Sequence, residues 1–402
     1  MKTIGIMVER LRTHARRMHE GIISYAKQHA DLSLRLLEFS DIGNPRALSD
    51  CDGFIARIFN DSMASALLRT QKPVVDVYCE KTYPGILPVD ENRQRVGILA
   101  ARHFIEHRFA RFAYCGLDGI AFSDGRRDAF VECLAKHHFK CLTYRTPASV
   151  LKNFEQSILR SDRIGLPPDA RALSAWLKRL PKPIALFCAH DSRAYQVIQV
   201  CHACGISVPK DVAVLGVDDD ELTCNYTAPT LSSINHNGAG IGYAAAMALD
   251  KMLKDPTLKL APITVKPIGL TTRESSNTYP LEPSWLSDAL VFIRTNINKN
   301  ISAANVYDVV KRSHTVVDRV FREKLGSTVQ KTVMRIRLEE AKHLIQNSTL
   351  PFSEIAIRAG FASAQHFCHS IAAEYGKSPT ALRNEPQRDG TESLGAFRVS
   401  SF

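Results

Sequence analysis

The chain has 402 residues, too many for one hydrophobic core, so two or three folding units are expected. Apolar residues at 45% and charged residues at 23% exclude a disordered or fibrous chain, and a formal net charge of +11 favours a polyanionic partner. The opening MKTIGIMVER meets charge at Glu9 without a signal-peptide pattern, no uncharged run reaches spanning length, and the ten cysteines lack framework spacing, which together imply a cytoplasmic protein with no membrane association.

Taken in chain order, TIGIMV reads as a buried strand, and residues 14–29 as a helix with Met18, Ile22, Tyr25 and Ala26 on one face. LRLLEF, CDGFIARI and PVVDVY are further short apolar runs separated by turns or helical stretches such as 62–69, a βαβ rhythm. After PVDENRQ a helix over 93–107 leads to the strand RFAYCGL, the helix DGRRDAFVECLAKHH and the strand CLTYR, where a second lobe begins. RALSAWLKRL, PIALFCAHD, a helix over 192–204, DVAVLGVDDDEL and the helix GAGIGYAAAMALDKML are assigned to that lobe, with ITVKPIGLTTRES as closing strands. Two doubly wound parallel-sheet lobes facing a cleft are the expected packing, because parallel strands need helices on both faces and place ligands beyond their carboxyl ends.

SNTYPLEPS marks a boundary, giving a sensing unit over 1–275, a linker over 276–285, an all-helical unit over 286–386 and a polar tail over 387–402 expected to be disordered. Shifted on itself by about 50 residues, the helical unit superposes 305–328 on 355–378, with Ser313 on Ser363, Phe321 on Ile371 and Gly326 on Gly376. Serine at each start can cap a helix, each closing glycine can end one, and Gly360 suits a tight turn, so each copy is a helix-turn-helix candidate. A single helix over 329–346 separates the copies, and Lys and Arg number 14 against 9 Asp and Glu over 286–386, an excess of 5 suited to phosphate. Double-stranded DNA with tandem half-sites is the expected partner.

RIRLEEAKHLIQNSTLPFSEIAIRAGF, followed by HF and YGKSPTALR, resembles the DNA-binding domain of the AraC family over about 100 residues. Two departures are Ile371-Ala372-Ala373 in place of Phe-Lys-Lys and Val310 where the first unit often has glycine. The preceding lobes, through PVDENRQ, DGRRDAF, AHDSRA and VLGVDDDEL, resemble the sugar-binding core of the lactose-repressor family without its amino-terminal headpiece. The resemblance implies a two-lobed sensor like a type I periplasmic binding protein, ahead of a double helix-turn-helix domain. It further implies a sugar-responsive transcriptional regulator, an activator of a carbohydrate operon of xylose type or a related sugar, working as a homodimer with RNA polymerase.

The docking geometry of such helices places candidate DNA contacts at Ser313, His314, Thr315, Asp318 and Arg319 in the first unit and at Ser363, Ala364, Gln365, His366 and His369 in the second, with Arg312 and Arg322 on the backbone. The bland reading of these residues is solvated helix surface. By resemblance Arg126, expected at a helix start, and Asp218 are the sugar-binding pair and His190 a polar contact, while Asp191 is either a contact or the cap of the next helix. ERLRTHARR, rich in Arg and His, raises a charged sugar such as a uronate beside a neutral pentose. A sugar- or nucleoside-acting enzyme using the cleft is the competing reading, and a transport receptor, which would need export, is a third. No phosphate loop, nucleophile elbow or metal triad is visible, so no catalytic residue, cofactor or metal is expected. Cys201 and Cys204 lack a second pair for zinc, and the acidic run Asp218 to Glu221 comes from a single loop.

Overall fold

The structure, a computed structural model, describes residues 1–151, 167–348 and 350–384. They form two units, Met1–Asn277 and a helical unit beginning at Thr278. The tail expected to be disordered lies outside the described residues.

Unit one contains two six-stranded sheets. The first runs β11-β5-β4-β3-β1-β2, built from β1 (Lys2–Met7), β2 (Leu32–Leu36), β3 (Gly53–Ala56), β4 (Val74–Asp76), β5 (Ile86–Glu91) and β11 (Ile263–Val265), all parallel. The second runs β12-β10-β9-β8-β6-β7, built from β6 (Phe112–Cys115), β7 (Cys141–Thr143), β8 (Ile184–Cys188), β9 (Val212–Val217), β10 (Ser232–Asn235) and β12 (Gly269–Thr271), of which only β12 is antiparallel to its neighbour. β3, β6, β8 and β9 are buried along their whole length, as strands covered by helices on both faces must be.

The helix Gly238–Lys254, expected in the second lobe, belongs to the first. Its Ile241, Ala245, Ala246 and Leu249 share a core with Ile4, Ile6, Met18 and Ile22, the last two on the helix Thr13–Ala26. The cause is topological: the chain passes between lobes three times, after β5, between β10 and the helix at Gly238, and between β11 and β12. β5 itself was not anticipated, since Pro88 and Asp90 interrupt its apolar run, yet it pairs with both β4 and β11. Arg126 sits not at a helix start but in the second turn of Ala121–Lys136, because that helix begins three residues before the expected Asp124.

The second unit is helical throughout its described residues: Ser284–Thr295, Ala303–Val310, His314–Leu325, Val329–Asn347, Phe352–Arg358, Ala364–Tyr375 and Pro379–Asn384. It has two small cores. One gathers Leu290, Ile293, Val306, Val317 and Phe321, and the other Ile355, Phe367, Ile371 and Leu382. The long helix Val329–Asn347 gives Val329, Val333 and Ile336 to the first and Ala341 and Ile345 to the second, so one rigid rod serves both.

Candidate functional site

Between the lobes of unit one lies a cleft built from the ends of strands and the loops after them. Its apolar wall is Met18, Val77, Tyr78, Phe122 and Ile241, and its polar lining includes Arg12, Arg57, Asp90, Glu91, Arg126, His190, Asp218 and His236. The four residues anticipated for the ligand, Arg126, His190, Asp191 and Asp218, all line it. Their roles differ.

Arg126 is 3% exposed and grips Glu91 with two bonds, Nε to Oε1 at 2.8 Å and Nη2 to Oε2 at 2.7 Å, while donating a third to the Ala189 carbonyl. Burial alone would raise the Glu91 carboxyl, but Arg126 and His236 hold it below the usual range. His236 Nδ1 lies 3.7 Å from Glu91 and 3.8 Å from Asp218 and has no hydrogen-bond partner among the described residues. On the facing side Arg57 pairs with Glu9, stacks 4.7 Å from the Tyr78 ring centroid, and has a buried Nε without an acceptor among the described residues.

His190, not Asp191, caps the helix Asp191–Ala203, its Nδ1 accepting from the Arg193 N–H at 3.1 Å. Burial lowers His190 to about 3 and His236 to about 4, so both rings are neutral at physiological pH. Asp191 serves the fold: its carboxylate accepts from Ser233 Oγ at 2.6 Å and from the Asp220 N–H at 2.9 Å. Asp218 ends β9, and burial raises it to about 7. The rest of the acidic run is committed elsewhere, Asp219 to Arg273 and Asp220 to capping the short helix Glu221–Tyr226.

Sequence reasoning missed Glu91, His236, Arg57 and Tyr78, none of which carries a local signal, because their partners are distant in the chain, 35 residues away for Glu91 and 48 for Arg57. In ERLRTHARR, Arg10 pairs with Glu38 at 2.8 Å, Arg16 donates to the Leu11 carbonyl, and Arg17 donates to the carbonyls of Asp218 and Asp219, while Arg12 lines the cleft.

Asp218 supplies a pH test. A carboxyl near 3.9 in the unfolded chain and about 7 in the cleft keeps a proton that the unfolded chain has lost, so this group's contribution to stability falls as pH rises through that window. A ligand hydroxyl donating to ionised Asp218 offsets that cost, so ligand affinity should rise by up to about tenfold from pH 6 to pH 8. Asp90 is also raised to about 7 by burial. Calorimetric titration of Asp218→Asn should therefore flatten the profile and Asp90→Asn should not.

In the helical unit, both second helices present their first turns to solvent. Arg312, Ser313, His314, Thr315, Arg319 and Arg322 are exposed in the first copy, and Ser363, Ala364, Gln365, His366 and His369 in the second. Asp318 is the exception: its carboxylate accepts from the Val329 N–H at 3.1 Å and so holds the start of the long helix. Ser363 caps its helix by accepting from the His366 N–H at 3.1 Å, whereas Ser313 makes no side-chain cap bond. At φ −64° rather than −152°, its carbonyl takes the first turn's N–H groups and its hydroxyl is left over. His314 stacks on Tyr307 at 4.1 Å. Gly326 and Gly376 close the two helices at φ 71° and 65°. The first turn does without a glycine because Lys311 takes the left-handed conformation at φ 53°. Ile371 fills the core while Ala372 and Ala373 are exposed, so no cation stands at those two positions.

A periplasmic binding protein-like domain matches residues 101–276 and a helix-turn-helix domain residues 308–385. Together with the fold, these define a transcriptional regulator that carries a periplasmic binding protein-like domain ahead of a helix-turn-helix domain. The chain is 27% identical over 340 residues to the xylose operon regulatory protein of Escherichia coli (strain K12), covering 83% of this chain and 84% of that one. It is 31% identical over 123 residues to the HTH-type transcriptional activator RhaS of Escherichia coli O1:K1 / APEC, 30% of this chain and 44% of the relative. Among solved structures, the xylose-binding transcription activator xylR matches with a TM-score of 0.59 at 25% identity, covering 95% of this chain and 97% of that one. A LacI family regulator from Enterococcus faecalis V583 with bound ribose matches the fold of the sensor, with a TM-score of 0.53 at 20% identity over 70% of this chain and all of that one. These relatives are regulators, which points away from an enzyme. Among the described residues no helix is long and apolar enough to cross a membrane, and no group of His, Cys, Asp and Glu is arranged to hold a metal ion.

Proposed function

We propose that the cleft binds a neutral monosaccharide, a pentose of the xylose type, and that binding controls how residues 286–386 engage tandem DNA half-sites. The observation that carries this reading is the balance of the cleft. Arg57 and Arg126 are paired with buried carboxylates, yet Arg57 Nε and His236 Nδ1 remain buried and unbonded. Unbonded polar atoms in a charge-neutralised site suit hydroxyl groups, and Tyr78 and Phe122 offer faces for the apolar side of a sugar ring. A uronate would need a cation not already matched, which disfavours the charged-sugar alternative. Arg126 and Asp218 are the principal ligand residues, Arg126 acting also through Glu91, and His190 is a neutral contact. The relatives named as activators support an activator, and the reading takes it to work as a cytoplasmic homodimer with RNA polymerase.

The test is a thermal-shift screen of pentoses, hexoses and uronates. A ligand at 100 times its Kd stabilises the folded state by about 2.7 kcal/mol. A neutral pentose is expected to raise the sensor's Tm and uronates to leave it unchanged; a response to uronates alone overturns the reading. In the second copy Gln365 is the residue suited to adenine, so Gln365→Ala should cost about 1–3 kcal/mol at one base pair. Binding titrations across single-base operator variants measure it, and an equal loss on every sequence would assign Gln365 to phosphate.

A further inference from the structure

The turn Asp218–Asp220 that floors the cleft is held from both sides. Asp218 has φ 117° and Asp219 φ 48°, conformations that persist in residues with side chains only where the surroundings impose them. The three N–H groups of the turn are anchored in the second lobe. Asp218 donates to the Ile234 carbonyl, Asp219 to Ser233 Oγ and Asp220 to Asp191 Oδ2, each at 2.9 Å. Its carbonyls are gripped from the first lobe, where Arg17 Nη1 donates to Asp218 O at 2.7 Å and Nη2 to Asp219 O at 2.8 Å. The Asp219 carboxylate accepts from Arg273 Nη2 at 2.9 Å.

Arg273 lies on the segment by which the chain leaves the sensor. Its backbone exchanges two bonds with Ser232 Oγ, and its Nη1 donates to the Leu231 carbonyl at 2.9 Å. Two residues later Ser275 donates its N–H to the Thr230 carbonyl at 2.9 Å and its hydroxyl to the Val214 carbonyl at 2.7 Å, and the Val214 N–H donates to Ser275 O. Unit one ends at Asn277. The exit segment is thus bonded to the strands on either side of the cleft turn and, through one side chain, to the turn itself.

We propose that Arg273 is the positioning residue that carries the state of the cleft to the exit segment Arg273–Asn277, and so to the helical unit. The proposal rests on reading the chain as an effector-controlled regulator. When the lobes part, Arg17 releases two carbonyls, the strained turn relaxes, and the Asp219 carboxylate moves with it. Arg273 follows that carboxylate and pulls on the segment bonded to β9 and β10. Both arginines bias the same two-state element, which is the physical requirement for coupling.

A double-mutant cycle read by hydrogen exchange on the full chain tests this with neither sugar nor DNA present. Arg17→Ala should speed exchange of the Val214 and Ser275 amides by about tenfold when Arg273 is intact, and by less than about twofold in the Arg273→Met background. Asp219→Asn, which removes the same ion pair from the other side, should block the response equally and keeps the test open should Arg273→Met fail to fold. Arg273→Lys retains a charge for Asp219 and should restore the response. Equal acceleration in both backgrounds, or none at these amides in either, overturns the proposal. Failure of the full chain to bind promoter DNA would refute the regulator reading and leave the exchange result standing as a separate measurement.

Discussion

Replacing Arg126 by alanine should abolish the response to sugar and destabilise the sensor by about 3–5 kcal/mol, the cost of removing one partner from a buried ion pair. Glu91, 5% exposed, would keep its charge without the guanidinium that holds it, and the Ala189 carbonyl would lose a donor. The ring of Phe122, with the guanidinium 5.2 Å from its centroid, would lose that contact as well. Denaturant unfolding monitored on the sensor transition measures the loss. Because the helical unit has its own two cores, basal DNA affinity should survive. The double variant Arg126→Met/Glu91→Gln should recover much of the stability without recovering sugar binding, since no uncompensated charge remains. A single-variant loss below about 1 kcal/mol would show instead that water reaches Glu91 and that the pair is not the keystone of the cleft.

Gly360→Ala should cost the helical unit most of its DNA affinity. A Cβ at this position would lie 1.8 Å from the carbonyl oxygen of Ile297, in the 3₁₀ turn Ile297–Lys299, and backbone cannot yield as a flexible side chain can. Its φ of 77° adds about 1–2 kcal/mol of left-handed strain for any residue with a side chain. The neighbouring Arg337, bonded to Asn300 and to the Ile301 carbonyl, would be displaced with that turn. Gly376 is the control, having φ 65° but no heavy atom within 4 Å of its notional Cβ, so Gly376→Ala should show the strain alone. Operator titration and thermal unfolding of both variants separate the two effects. Equal losses would mean that the contact with Ile297 gives way readily.

The periodicities that are local were legible in the sequence. βαβ alternation located most of the buried strands to within a few residues, β5 and β10 excepted, and the 50-residue repeat placed the starts of the two second helices at His314 and Ala364. What depends on distant partners was not. β5 is broken by Pro88 and becomes a strand only between β4 and β11, nearly 180 residues away in the chain. The helix after β10 carries the same apolar pattern whichever lobe it covers, so nothing local assigns it. Arg126 stood out by resemblance, but its bond to Glu91 did not, and three arginines of the first loop that read as free charge are bonded to Glu38 and to three backbone carbonyls. Asp318 read as a DNA contact because its acceptor role faces a helix that begins eleven positions later.

The three passages between lobes bear on how the protein emerges from the ribosome. The first sheet lacks its edge strand until residue 265 has been made, and the covering helix ends only at Lys254, so the amino-terminal half of the sensor must wait, incompletely covered, while nearly the whole second lobe is synthesised. Neither lobe is a continuous stretch of chain, and separating one from the other requires three cuts rather than one.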